Sequence, residues 1–352
     1  MKLPVLENTI LIPDDSLLDS SILITSEGFE ERSLCWVKSL PKQKLFAKSI
    51  IFQNIPIRKS RLSDLEKEVI SVSVAKPEII EFNRYDLEGT ESLVRSIFTE
   101  FVNGYKEVFI DISVMSRILI VILVYLCKKM EINLNLVYSE PEEYAPTKED
   151  FYLHLERQQV ASIAPTSGVR QVVRTPLLSS SIMSNAPTIV VGFTSFNEQL
   201  LRALLSSLNP SRLFLINSIP PHLKWRAEAT FLVHKDIVSE YTRDNPISDD
   251  KLLVRRSSTL KYQETFDIIA DIYRKYCYTH RIVIAPTGSK MQSVACALLK
   301  SCCPDIHIEY PTPESYYVEN FSSSKIRNQH HIKFCNFAEF ISQFSEAAGL
   351  NG

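Results

Sequence analysis

At 352 residues the chain exceeds one ordinary hydrophobic core and suits two domains. A hydrophobic fraction of 45% excludes wholesale disorder, and a net charge of −2 excludes a general basic field for nucleic acid, leaving only a local basic cleft. Seven cysteines with no C-x-x-C pair argue for buried thiols in a reducing compartment rather than disulfides or a zinc site.

The opening MKLPVLENTI lacks the apolar run of a secretory signal. The longest apolar run, ILIVILVYLC (118–127), falls well short of the roughly 20 residues a membrane span needs, so a soluble cytoplasmic protein with no membrane partner is expected. SILITS (21–26) predicts a strand, and EGFEERSLCWVKSL (27–40) a turn and amphipathic helix. SIIFQNIP (49–56) predicts a second strand; a charged stretch covers 58–75, and TESLVRSIFTEFVN (90–103) has helical spacing. EVFIDIS (107–113) predicts a strand, VMSR a turn, 117–130 a helix buried on most sides, and 133–144 another strand. The Ser-, Pro- and Ala-rich segment 162–187 reads as a linker with one strand, VRQVVR (169–174).

The second half repeats this order. TIVVGF (188–193) predicts a strand, 194–208 a turn and helix, RLFLINSIPP (212–221) a strand, and 263–277 a helix. RIVIAP (281–286), TGSKMQSVACALLK (287–300) and 305–317 follow as strand, turn with helix, and strand with tail; a last amphipathic helix lies near 336–347. Individual positions also register: Phe29-Glu30-Glu31 with Phe196-Asn197-Glu198, Asn54-Ile55-Pro56 with Ser218-Ile219-Pro220, Ser116-Arg117 with Ser289-Lys290, and Tyr138-x-x-Pro141-Glu142-x-Tyr144 with Tyr310-x-x-Pro313-Glu314-x-Tyr316. Four matches in one order predict a duplicated α/β unit. The expected fold is two similar Rossmann-like units with mainly parallel sheets, 1–160 and 188–352, joined by a linker at 161–187 and arranged as an internal pseudo-dimer.

Open parallel sheets bind ligands beyond the carboxyl ends of their strands, where strand order reverses. That rule selects the loops 26–32 and 113–117 in the first half, and 193–198 and 286–290 in the second. A helix N-terminus offers unpaired N–H groups and a partial positive charge, so it favours an anion. Thr287, Gly288, Ser289 and Lys290 combine cap, close backbone approach and full charge; Ser113, Ser116 and Arg117 are their counterparts. Thr194, Ser195 and Asn197 supply a near-neutral second loop. The plain alternative for the Ser and Thr residues is helix capping alone. The segment matches neither G-x-x-x-x-G-K-[ST] nor G-x-G-x-x-G, and no cofactor is expected. Tyr138, Tyr144, Tyr310, Tyr316 and Tyr317 lie near the same sheet edges, as base-stacking rings or as rim packing. Glu27, Glu30 and Glu31 with Asp111 read either as a metal site or as complements to a helix dipole, with Arg32 as an offsetting charge. His330 and His331 read as solvated residues of a polar loop, and no nucleophilic triad stands out.

APTGSKM in the second half and, more loosely, DISVMSR in the first resemble the turn D-x-[ST]-G-G-[ST]-K of the CRISPR-associated Rossmann fold (CARF) superfamily. The doubled layout looks like the related SAVED arrangement. The first half lacks the glycines. The resemblance implies a sensor of a nucleotide or oligonucleotide messenger in antiviral defence, with phosphate held between the units by Ser113, Ser116, Arg117, Thr287, Gly288, Ser289 and Lys290, and less directly by Thr194, Ser195, Asn197 and Tyr310. It also implies a separate effector protein and allows a homo-oligomer. An enzyme cleaving oligonucleotides in the same crevice and a non-catalytic scaffold subunit are the alternatives.

Overall fold

The computed structural model describes residues 1–56, 60–243, 252–317 and 321–350. In chain order its first stretch holds β1 (Ser21–Ser26), α1 (Cys35–Ser39), β2 (Lys48–Ile55), α2 (Leu62–Val72), β3 (Glu78–Asn83), α3 (Leu87–Ile97), β4 (Glu107–Asp111), α4 (Arg117–Cys127) and β5 (Asn133–Pro141). There follow α5 (Lys148–Glu156), β6 (Thr166–Ser167), β7 (Gln171–Val173), β8 (Thr188–Phe193), α6 (Glu198–Leu208), β9 (Arg212–Ile219), α7 (Trp225–Val233), α8 (Lys235–Arg243) and β10 (Leu252–Ser258). The remainder is α9 (Tyr262–Tyr276), β11 (Arg281–Ile284), α10 (Lys290–Cys302), β12 (His307–Ile308), β13 (Tyr310–Thr312), β14 (Ser315–Tyr316), β15 (Ile326–Phe334) and α11 (Phe337–Ala347). Residues 58–59 of the charged stretch and 244–251, 318–320 and 351–352 of the expected second unit lie outside the described residues.

The α/β class and the two Rossmann-like sheets are as expected. The first sheet has the order β15-β5-β4-β1-β2-β3 and the second β10-β9-β8-β11-β12. Without β15, both read the same from the first strand outward: one neighbour continues the chain through two strands, the other is reached by a crossover. Every pairing among these strands is parallel, whereas β15 lies antiparallel to β5.

Local sequence explains the layers. β1 is buried along its whole length, as a central parallel strand covered on both faces must be. α2 buries Leu65, Val69 and Val72, a single helical stripe. α4 buries every residue from Ile118 to Val124, which accounts for its unbroken apolar run. Among the described residues no helix is long and apolar enough to cross a membrane. Trp36, Phe46 and Phe109 meet ring against ring in the core of the first unit.

The chain divides at other points than the sequence suggests. One unit comprises Met1–Tyr144 with Phe321–Phe344, the other Ala145–Asn320 with Ser345–Gly352. The segment expected to be a linker is built into the second unit: β7 pairs with β13 and β6 with β14. The tail expected to complete the second unit instead returns β15 to the first sheet, where it pairs antiparallel with β5 and buries His330, His331, Ile332 and Phe334. That pairing also corrects the histidines. His330 and His331 are buried in β15, and His330 Nε2 lies 3.0 Å from Glu140 Oε2. The cysteines are free; Cys127, Cys296, Cys302 and Cys303 are buried, but Cys35 and Cys277 are half-buried and Cys335 is exposed.

Candidate functional site

In the second unit strand order reverses between β8 and β11, so the loops 194–197 and 285–289 flank one crevice. Ser289 caps α10: its Oγ accepts from Gln292 N at 3.1 Å, and Gln292 Oε1 accepts from Ser289 N at 2.8 Å. Ser289 Oγ also donates to Thr259 O at 2.5 Å. Gln292 is bound on both ends, with Ser218 Oγ donating to its Oε1 and its Nε2 donating to Ser257 Oγ. Gly288 is required by this packing, since a Cβ there would sit 2.2 Å from Gln292 Oε1 and 3.0 Å from the Phe193 ring. Thr287 is buried and its Oγ1 is 3.5 Å from Phe193 O. Thr194 is a hub: it donates to Asn217 Oδ1 and accepts from Ser218 N and Thr230 Oγ1, each at 3.1 Å. Asn197 stands at the cap of α6 and donates to Thr166 Oγ1, while Ser195 Oγ accepts from Asn197 N. Lys290 is half-buried at the first position of α10. Tyr310 lies buried in β13, so its ring offers no open stacking face. Thr194, Asn197, Ser289 and Gln292 thus belong to a network of neutral hydroxyls and amides, with Glu198 and Lys290 as the charged residues beside it.

In the first unit the reversal falls between β1 and β4. Ser116 caps α4, accepting from Leu119 N at 3.3 Å, and Arg117 opens the helix with a buried Nε that has no hydrogen-bond partner. Ser113 belongs to the β4 terminus: its N and Oγ donate to Asp111 Oδ1 at 2.9 and 2.5 Å, and its Oγ accepts from Ser139 N at 2.8 Å. Asp111 is 2% exposed and its Oδ2 has no hydrogen-bond partner. Burial pushes its pKa up to about 6, against the lowering effect of the Ser113 hydrogen bonds and Arg32.

Arg32 faces the same edge, 5% exposed. Its Nε and Nη2 clamp Glu30 at 3.0 and 2.9 Å, and Ser322 donates to the same carboxylate. Its Nη1 is buried without a partner. Burial works against this charge, but Glu30, Tyr138 and Tyr144 more than offset it, so the guanidinium is held above its ordinary pKa. Tyr138 lies under Arg32, 6.0 Å from its central carbon, stacks on His330, and shares a 2.6 Å hydrogen bond with Tyr144. Glu27 accepts from Asn54 N and from Ser60 Oγ, and Glu31 pairs with Arg61. The acids are thus committed to separate partners, and among the described residues no three metal-ligating side chains converge.

The sequence-predicted residues of each unit do gather at its strand-order reversal, but mainly as caps and internal bonds. Arg32, Asp111 and Arg117 in the first unit and Glu198 in the second each keep a buried polar atom without a hydrogen-bond partner. The signal of Arg32 and Asp111 in the sequence is slight: an arginine within an acidic turn, and an aspartate ending an otherwise apolar strand. Compared with known proteins, the chain matches no family model, and no curated protein aligns with it significantly.

Proposed function

We propose that this protein is a binding protein for a phosphate-bearing nucleotide messenger, which it takes up at the carboxyl edge of a Rossmann-like sheet and reports to a separate effector. The observation that carries this reading is the recurrence, at both strand-order reversals, of a serine N-cap followed directly by a cation: Ser116-Arg117 on α4 and Ser289-Lys290 on α10. A cation in the first turn opposes the helix dipole, and an anion bound at that turn would be favoured by both the cation and the helix N-terminus. The unpartnered Nε of Arg117 supports the same reading. Resemblance to the CARF turn favours a messenger in antiviral defence over a metabolic nucleotide.

A thermal-shift panel of linear and cyclic nucleotides tests it. A ligand at a hundredfold excess over its Kd stabilises the native state by about 2.7 kcal/mol, a readily measured rise in Tm. The rise should shrink in Arg117→Ala/Lys290→Ala. No rise with any member of the panel would refute the reading.

A further inference from the structure

Among the buried polar atoms of the first unit that have no hydrogen-bond partner are Arg32 Nη1, a donor, and Asp111 Oδ2, an acceptor when ionised and a donor when protonated. Arg32 lies in the turn after β1 and Asp111 is the last residue of β4, so they flank the strand-order reversal. The loops after these two strands approach closely, since a Cβ on Gly28 would lie 3.0 Å from Val114 Cβ. Leaving a cation and a carboxylic acid buried and incompletely bonded is costly, and such groups mark sites that a ligand completes.

We propose that Arg32 and Asp111 bind a terminal phosphomonoester, with Arg32 Nη1 donating to one phosphoryl oxygen and Asp111 Oδ2 sharing a single proton with another. This rests on the reading that the ligand carries phosphate, and it specifies which kind. A phosphomonoester ionises for the second time near pH 6, so it brings or accepts that proton at little cost. A phosphodiester or a sulfate has no proton to give near neutrality, and its charge would oppose an ionised Asp111. The pair therefore selects phosphate ends and rejects closed diester rings. Burial agrees with proton sharing, because it raises Asp111 to about 6. The titratable groups around the pair are Glu30 on the same turn, Cys35 at the start of α1, Tyr138 and Glu140 on β5, and Tyr144. Glu30 neutralises most of Arg32, and burial, then Asp111, raises the Cys35 thiol, so neither supplies the shared proton.

Calorimetric titration of the full chain at pH 7.5 with adenosine 5′-monophosphate and with 3′,5′-cyclic adenosine monophosphate tests the pair, with inorganic phosphate against sulfate as the minimal comparison. The monoester should bind roughly tenfold or more tightly than the diester, the worth of one charge-assisted hydrogen bond. Binding in buffers of different ionisation enthalpy should show net proton uptake, a readout that needs no variant. Asp111→Asn should erase the preference, and Arg32→Lys should weaken both ligands. Equal binding of phosphate and sulfate, or a preference that survives Asp111→Asn, overturns the proposal. If only cyclic nucleotides bind, and do so through Arg117 and Lys290, the proposed function stands and this inference falls; if nothing on either panel binds, both fall.

Discussion

The two strand-order reversals are built on one backbone plan and differ in charge. Glu27 N bonds Phe52 O as Thr194 N bonds Ile216 O, and Asn54 N bonds the Glu27 side chain as Ser218 N bonds that of Thr194. The strand registers place Ile110 beside Ile24 as Ile284 lies beside Val191, so Asp111 corresponds to Ala285. Counted on from Glu27 and Thr194, Glu30 corresponds to Asn197 and Arg32 to Gln199. Glu27, Glu30, Arg32 and Asp111 of the first crevice thus have the neutral counterparts Thr194, Asn197, Gln199 and Ala285, whereas Glu31 and Arg117 keep charged ones in Glu198 and Lys290. The second bonds mainly through hydroxyls and the amides of Asn197, Asn217 and Gln292, while the first holds the buried Arg32–Glu30 pair and Asp111 with an unused oxygen. One scaffold thus carries a mainly neutral edge and a charged one.

That contrast can be broken first at Arg32. Arg32→Ala strands Glu30, which is 10% exposed, and should destabilise the fold by about 3–5 kcal/mol, whereas Gln199→Ala at the matching exposed position should stay within about 0.5 kcal/mol. Urea denaturation of both variants measures the difference; equal losses would remove the asymmetry between the crevices.

Opposite pH responses sharpen it further. Folded Asp111 holds its proton more tightly than the unfolded value of 3.8 allows, so its contribution is present below about pH 4 and lost as pH rises through about 6. Asp111→Asn should therefore stabilise the protein at pH 8 by on the order of 3 kcal/mol, at roughly 1.4 kcal/mol per pKa unit, and have little effect at pH 4. In the second unit burial drops His234 from 6.5 to about 4, so stability present above pH 6.5 is lost as pH falls toward 4. A His234→Gln variant should flatten that acid limb. Parallel pH profiles of variants and parent in chemical denaturation would contradict both assignments.

The smallest effect separates the caps. Ser289→Ala breaks a reciprocal capping box and should cost about 1–2 kcal/mol, against roughly 0.5–1 kcal/mol for Ser116→Ala, whose single bond is longer. Equal costs, read from thermal melts, would show that the Gln292 network adds nothing.

The parallel strands were legible because buried strands read as continuous apolar runs, and Ser116-Arg117 and Ser289-Lys290 registered because both occupy the same cap and first-turn positions. The edge strands β3 and β10 escaped notice, since one face of an edge strand stays wet and EIIEFN and LLVRRSS carry too few apolar residues to stand out. β15 is hidden by its histidines: His330 meets Glu140 and Tyr138, nearly two hundred residues away in sequence, and His331 meets Glu7 and Thr9 near the start of the chain. Arg32 and Asp111 are legible as members of the first crevice, but not which of their atoms stay unbonded, because only folding sets Arg32 against Glu30 and Asp111 against Ser113. Gln292 reads in sequence as one more helix residue; in the fold its side chain bonds Ser289 N and Ser257 Oγ across the turn that Thr287 to Lys290 form.

The central claim is that a phosphate-bearing nucleotide engages the first unit where β1 and β4 end. Hydrogen exchange with and without adenosine 5′-monophosphate reads this directly, since bound ligand suppresses local opening. The expected result is protection gathered in residues 26–35 and 109–118; protection confined to other segments, at ligand concentrations that raise Tm, would contradict it.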